Sequence, residues 1–201
     1  MKTSPENPSG MTNGVPAASS APLQEPFLIR ESATEPLVTV VLPVRQPGEL
    51  LRPCLENLSR QTIFDRCEII ITDSSASETE RAIIAEFQTK FPNIRSIRTP
   101  RETTAAAWNR GLALARGRFW ASINPNDSLR ADALEIFADA LDKHADCALA
   151  YADCAWTTQP NDTFPSASII KTVKYPAYTP LETVFYSLTG GGQFFRTESL
   201  R

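Results

Sequence analysis

Leu37-Val-Thr-Val-Val-Leu-Pro43 is a short, valine-rich apolar run that stops at a proline. Two later stretches repeat its design: Glu68-Ile-Ile-Ile-Thr-Asp73 and Arg118-Phe-Trp-Ala-Ser-Ile-Asn-Pro-Asn-Asp127. Each ends in turn-forming or acidic residues, and each is followed by a helical pattern. Strands buried on both faces read this way, so the runs predict the parallel sheet of an α/β protein. In open α/β sheets, ligands bind in the crevice beyond the carboxyl ends of the strands. Pro43, Asp73 and Asp127 are therefore expected to gather there, three distant segments building one polar crevice.

Working outward, the alternation continues. The strand at 38–44 leads through Arg45-Gln-Pro-Gly48 to a helix with Leu51, Cys54, Leu55 and Leu58 on one face. Ser77 with Glu80 three residues on forms a capping box, opening a helix whose inward residues are Ile83, Ile84, Phe87 and Phe91. A short strand is expected at 93–98 and an alanine-rich helix at 102–115, closed by Gly117. A strand at 118–123, a helix at 128–143 with Leu134, Phe137 and Leu141 inward, and a strand at 148–152 complete the pattern. This order predicts a doubly wound, mostly parallel sheet in three α/β/α layers with right-handed crossovers, Rossmann-like in outline. Beyond Trp156 the periodicity weakens. Residues 160–165 read as a loop, 175–178 and 189–192 as irregular segments beside a site, and Phe194-Phe-Arg196 as one more strand. Residues 1–35, dominated by Pro, Ser, Asn, Thr and Ala, read as a flexible leader to a domain spanning 36–201. A segment resembling a helix start just before Arg201 suggests a fragment of a longer domain.

Composition narrows the function classes. In 201 residues, 42% are hydrophobic, enough for a real core, and the net charge is −3. Arginines are scattered and offset by acids, which argues against nucleic acid as a partner. No run approaches the about 18 apolar residues of a membrane span, and the N-terminus lacks the apolar core of a secretory signal. The cytoplasm is the expected compartment. Cys54, Cys67, Cys147 and Cys154 form no Cys-x-x-Cys pair and read as reduced, mostly buried thiols. His144, the single histidine, lies at a helix end, which leaves Ser-His-Asp or Cys-His hydrolase chemistry with one ring to use.

Several segments resemble family 2 glycosyltransferases, the nucleotide-sugar enzymes of GT-A fold. Pro36-Leu-Val-Thr-Val-Val-Leu-Pro-Val44 is similar to the family's first strand, and Cys54-Leu-Glu-Asn-Leu-Ser-Arg-Gln-Thr62 to its Cys-Leu-x-Ser-Leu-x-x-Gln-Thr helix end. Glu68-Ile-Ile-Ile-Thr-Asp-Ser-Ser75 resembles Glu-Ile-Ile-Val-Asp-Asp-Gly-Ser, and Ala107-Trp-Asn-Arg-Gly-Leu-Ala-Leu-Ala-Arg-Gly117 resembles Ala-Arg-Asn-x-Gly-Leu-x-x-Ala-x-Gly. Asn124-Pro-Asn-Asp127 falls where the acidic Asp-x-Asp-Asp signature belongs. The likeness runs from about residue 36 onward, in register.

The resemblance implies transfer of a sugar, with inversion, from a UDP- or GDP-linked donor to a sugar, lipid or protein hydroxyl. It implies nucleotide-sugar contacts at Pro43, Val44, Arg45, Asp73, Ser75, Asn124 and Asn126, and a divalent cation, manganese or magnesium, on Asn126 and Asp127. Arg45 suits a base pocket because a planar guanidinium stacks; the family usually has Tyr-Asn where Arg45-Gln46 stands. Asp73 holds the place of the base-contacting carboxylate, with Thr72 in place of an acidic neighbour; the other reading of Asp73 is a helix or turn cap with Ser75. Two of the three expected acids of the metal turn are amides here, and hard cations favour charged oxygens. Asp127 either compensates or caps the following helix. Arg101, Arg110 and Arg130 are phosphate candidates whose alternative is solvated surface. Asp153 ends a strand and faces the same crevice or serves a turn. Trp108, where relatives have arginine, reads as core packing. Gly190-Gly-Gly-Gln193 resembles the acceptor-side segment. The family's general base lies in a Gly-x-Phe-Asp-Glu-like stretch soon after the position of Leu200, so no base is carried over, and this chain is expected to bind nucleotide with little or no turnover. Two other readings stand beside this one. The first is a non-catalytic nucleotide-binding or interaction domain of the same fold. The second is a nucleotidyltransferase, for which Arg45-Gln-Pro-Gly48 is a poor glycine-rich loop.

Overall fold

The computed structural model describes residues 35–75, 77–160, 162, 167–175 and 193–201. The leader through residue 34, most of the expected loop at 160–165, and the irregular segments at 176–178 and 189–192 lie outside the described residues.

Six strands form one sheet, in the order β3 (Ile94–Arg98), β2 (Cys67–Asp73), β1 (Val38–Val44), β4 (Phe119–Ser122), β8 (Gln193–Arg196), β5 (Leu149–Tyr151). β1 pairs in parallel with β2 and β4, and β2 with β3. β8 runs antiparallel to both β4 and β5, so it is the single reversed strand of a mostly parallel sheet. The central strands are the apolar runs of the sequence: every β2 residue is buried, and all of β1 but Pro43. A separate antiparallel hairpin pairs β6 (Cys154–Thr157) with β7 (Ile169–Val173), where weak periodicity predicted none. Its strands expose Trp156, Ile169 and Ile170, so neither shows the alternation that marks a strand.

Alternation along β1 distributes its side chains between two layers. Val38, Val40, Leu42 and Val44 join a core with α1 (Leu51–Ser59), α2 (Glu78–Lys90) and α4 (Ala133–Lys143). Val41 faces the other way, to a smaller cluster with Ala115 and Trp120, against which Trp108 and Leu112 of α3 (Thr104–Leu114) pack. Trp108 is thus a packing residue. The predicted face of α1 is entirely buried. Pro53 is tolerated there because it stands in the first turn, where its missing N–H has no intrahelical partner to lose. α3 comes close to the sheet because Gly111 has no side chain: a Cβ there would meet Val41 Cγ1 at 2.4 Å.

The helix expected at 128–143 begins five residues later, at Ala133. The cause is a polar grip from α1. Asn57 Nδ2 donates to the Leu129 carbonyl at 2.9 Å, and its Oδ1 accepts from the Leu129 N–H at 2.8 Å. Gln61 Nε2 donates to the Arg130 carbonyl at 3.0 Å, while Gln61 Oε1 accepts from the Leu134 N–H at 3.3 Å. The Thr62 N–H donates to the Ala131 carbonyl at 2.8 Å. These bonds take backbone groups that a helix over 128–132 would need for itself, and Gln61 in effect caps α4, whose N-cap Asp132 makes no side-chain cap bond. Gln61 is buried, so Gln61→Ala strands two backbone groups and is expected to cost about 1–3 kcal/mol of stability, read from urea unfolding midpoints. Gln61→Glu, which keeps only the acceptor, should fall between; equal stability of all three proteins would refute the grip.

Candidate functional site

The carboxyl ends of the strands form a polar edge. In register, Val44 lies beside Asp73, and Asp73 beside Arg98. Asp73 is only 2% exposed. One carboxylate oxygen accepts from the Ser75 N–H at 2.8 Å, and the other lies 3.5 Å from Arg98 Nη1. The turn reading of Asp73 is therefore realised, and a strand-end guanidinium stands beside it. Arg98 was not singled out from sequence; only its register position could have indicated it. Val44 is fully enclosed in the core, and its carbonyl accepts from the Ser74 N–H at 2.9 Å and the Ser74 hydroxyl at 3.2 Å. Of the candidates on β1 and its loop, Pro43 is half-buried and Arg45 exposed.

The loop after β1 is held in an unusual shape. Gln46 and Gly48 both have φ of 57°, the left-handed region that costs a non-glycine residue of order 1 kcal/mol. Its anchor is Glu80, whose Oε1 accepts the Gly48 N–H at 3.0 Å. This corrects half of the capping box: Ser77 accepts from the Glu80 N–H at 3.4 Å, but the Glu80 carboxylate does not return to Ser77. It is buried instead, tying α2 to the loop that presents Arg45.

Beyond β4, Asn124-Pro-Asn-Asp127 is a tight turn, closed by the Asp127 N–H donating to the Asn124 carbonyl at 3.0 Å. Asp127 Oδ2 accepts two donors from Asn124, the backbone N–H at 3.1 Å and Nδ2 at 3.0 Å. Of the two readings of Asp127, the helix cap is not realised, since that helix starts at Ala133 and the carboxylate bonds back into its own turn. Cys54 supports the turn from beneath, its thiol 3.8 Å from the Asn124 carbonyl. Burial, with the Asp127 charge adding to it, pushes that thiol up to about 12, so it stays protonated at neutral pH.

A cleft of about 470 Å³ opens between this turn, the start of α4 and the β6 hairpin, lined by Asn126, Asp127, Arg130, Asp153, Cys154 and Asp162 among others. Asp153 both lines it and accepts the Tyr175 N–H at 3.1 Å. Pro43, Arg45, Asp73 and Ser75 are not among its lining residues. Asp127 thus faces an acid-bearing cleft beyond β4 that Asp73 and Arg45 do not line, while Arg45 and Arg98 mark an arginine-bearing side of the edge over β1–β3. Among the other arginines considered, Arg110 pairs with Glu102 at 2.7 Å and Arg130 with Asp132 at 2.5 Å, while Arg101 is exposed. No described helix is long and apolar enough to cross a membrane.

Comparison with known proteins gives concordant results. The family model for glycosyl transferase family 2 matches residues 39–197. A chondroitin synthase of Escherichia coli is 29% identical over 109 residues, 53% of this chain and 16% of that protein. The putative glycosyltransferase EpsH of Bacillus subtilis is 30% identical over 100 residues, 50% of this chain and 29% of its own length. Among solved structures, residues 1–349 of S. aureus TarS superpose with a TM-score of 0.63 at 17% identity, covering 81% of this chain and 48% of that one. The mannosyltransferase PcManGT of Pyrobaculum calidifontis, solved with GDP-Man and Mn2+, gives 0.54 at 19% identity, covering 88% and 49%. The chain spans less than half the length of each of these relatives.

Proposed function

From the membership of this chain in glycosyl transferase family 2, we propose that it binds a UDP- or GDP-linked sugar at the carboxyl ends of β1–β3 and passes the sugar to an acceptor hydroxyl with inversion. The observation that carries the reading is the Asp73 arrangement. A buried carboxylate, oriented by the Ser75 N–H and Arg98, retains lone pairs for a base N–H, and Arg45 stands exposed on the neighbouring strand end. Fixed polar groups at the carboxyl ends of parallel strands suit nucleotide recognition. TarS has been solved with UDP and with UDP-GlcNAc, which supports the donor class. The cleft beyond β4, with Asp127, Asp153 and Asp162 against the single guanidinium of Arg130, suits an acceptor better than a diphosphate, since like charges repel. A cytoplasmic donor pool fits this reading.

Calorimetric titration with UDP and with GDP tests it. One of the two is expected to bind, and Asp73→Ala to weaken that binding by about tenfold or more. Asp73→Asn, which keeps the turn bond, should weaken it less. Binding of neither nucleotide, or binding indifferent to Asp73, would reject the proposal. Nucleotide binding without transfer is a second reading, favoured by the two amides of the Asn124–Asp127 turn; sugar appearing on an acceptor would eliminate it.

A further inference from the structure

The resemblance to family 2 glycosyltransferases implies a divalent cation at the turn after β4, and a mannosyltransferase of similar fold was solved with GDP-Man and Mn2+. The residues of this chain do not fit one. Such cations take hard oxygen ligands, usually one or two carboxylates with waters. The turn offers a single carboxylate, Asp127, and two neutral amides. Its Oδ2 already accepts two N–H donors from Asn124, at 3.1 and 3.0 Å. Each donor aims a partial positive charge at Oδ2, the same oxygen, and the turn brings no second carboxylate to offset it. Asn126, at the other candidate position, is exposed and brings no charge. Among the described residues, no three His, Cys, Asp or Glu side chains converge to hold a metal.

We propose that this chain holds its nucleotide donor without a divalent cation, the Asn124 amide occupying by hydrogen bonding the place on Asp127 that a metal ion would take. The turn keeps its shape because it is bonded to itself, so no ion is needed to draw its two ends together. Positive charge for a diphosphate comes instead from the arginine-bearing side of the edge, where Arg45 and Arg101 are exposed and Arg98 stands beside Asp73. A guanidinium presents paired donors to phosphate oxygens and needs no cation to mediate. The proposal rests on the donor-site reading for its nucleotide, but its statement about the turn can be tested without one.

The test has two arms. In the first, manganese is added to the protein alone and the free-ion signal is followed by electron paramagnetic resonance. The parent should leave the signal unchanged, and the double variant Asn124→Asp/Asn126→Asp should deplete it. In the second arm, the nucleotide that binds is titrated with manganese and with EDTA. The parent's affinity should shift by less than about twofold, and the double variant should bind at least about tenfold more tightly with the metal. Depletion of the manganese signal by the parent, or a tenfold loss of its nucleotide affinity in EDTA, would overturn the proposal. A double variant as blind to manganese as the parent would overturn its cause, the two amides. Should the double variant misfold, Asn124→Asp, also at an exposed position, removes the Nδ2 donor to Asp127 and carries the same comparison. Absence of nucleotide binding under every condition would defeat the donor-site reading, while the manganese arm would still decide this one.

Discussion

Glu68→Ala is expected to destabilise the domain by about 3–5 kcal/mol, because it removes one partner from a buried ionic cluster and leaves the others uncompensated. The carboxylate is 2% exposed and fully engaged. Its Oε1 accepts the Thr39 hydroxyl at 2.6 Å and the Arg116 N–H at 2.6 Å; its Oε2 accepts from Arg95 at 2.8 Å and Arg116 Nε at 3.1 Å. Burial draws the Arg95 guanidinium below its usual range, Glu68 draws it back up, and Arg116 lowers it further. Without Glu68, two guanidinium groups face each other beside a hydroxyl whose proton has lost its acceptor. The Arg116 side chain is 38% exposed, so water recovers part of the loss and the lower end of the range is expected. Urea unfolding of Glu68→Ala, with Glu68→Gln alongside, measures it. A loss below 1 kcal/mol in the alanine variant would mean the cluster contributes little. Because this cluster joins β1, β2, β3 and the loop before β4 at the end of the sheet opposite Asp73, nucleotide affinity should survive in whatever fraction remains folded.

Gly117→Ala should be nearly as damaging, at about 3 kcal/mol. A Cβ at this position would lie 2.4 Å from the Thr39 backbone nitrogen and 2.7 Å from the Val38 carbonyl carbon. Those atoms belong to the central strand and cannot step aside. The same glycine donates its N–H to Thr39 Oγ1 at 2.9 Å and accepts the Thr197 hydroxyl at 2.6 Å, so moving it breaks both bonds. Gly111 provides the control. The three atoms nearest its added Cβ all belong to the side chain of Val41, so Val41→Ala should rescue much of Gly111→Ala. No side-chain deletion in β1 should rescue Gly117→Ala. Rescue by Thr39→Ala, followed as the shift in thermal midpoint, would show that the clash is not with backbone.

The strands of the sheet's parallel core were legible because burial on both faces writes a strand as an uninterrupted apolar run, as in Val38–Val44 and Cys67–Asp73. The face of α1 was equally plain from spacings of three and four. What escaped the sequence was decided by partners far along the chain. Asn57 and Gln61 look like surface polar residues of a helix end, yet their amides replace backbone bonds about seventy positions away and delay α4. Gly117 reads as a helix stop, but its place is set by contact with β1. Glu80 fits a local capping box, and its carboxylate goes instead to Gly48. At the site, Asp73 was visible as an acid at a strand end, whereas Arg98 became its neighbour only through the pairing of β2 with β3. The closure of the Asn124–Asp127 turn on itself depends on rotamers that no spacing rule records.

β8 settles how this domain must be assembled in time. It lies between β4 and β5, although β4 ends at Ser122 and β8 begins only at Gln193. As the chain leaves the ribosome, the half built on β1–β3 can condense at once, because its contacts close over short loops. β4 then waits with its outer rank of amides unpaired, and β5 has no sheet neighbour among the described residues but β8. Arg196, on the same late strand, donates to the Leu141, His144 and Cys147 carbonyls behind α4, so the end of that helix is also finished late. A nascent chain halted before Gln193 thus carries an open strand edge, the kind of surface that recruits other chains. The exposed edge of β4 is therefore expected to persist from the emergence of Ser122 until Gln193–Arg196 arrives to cover it.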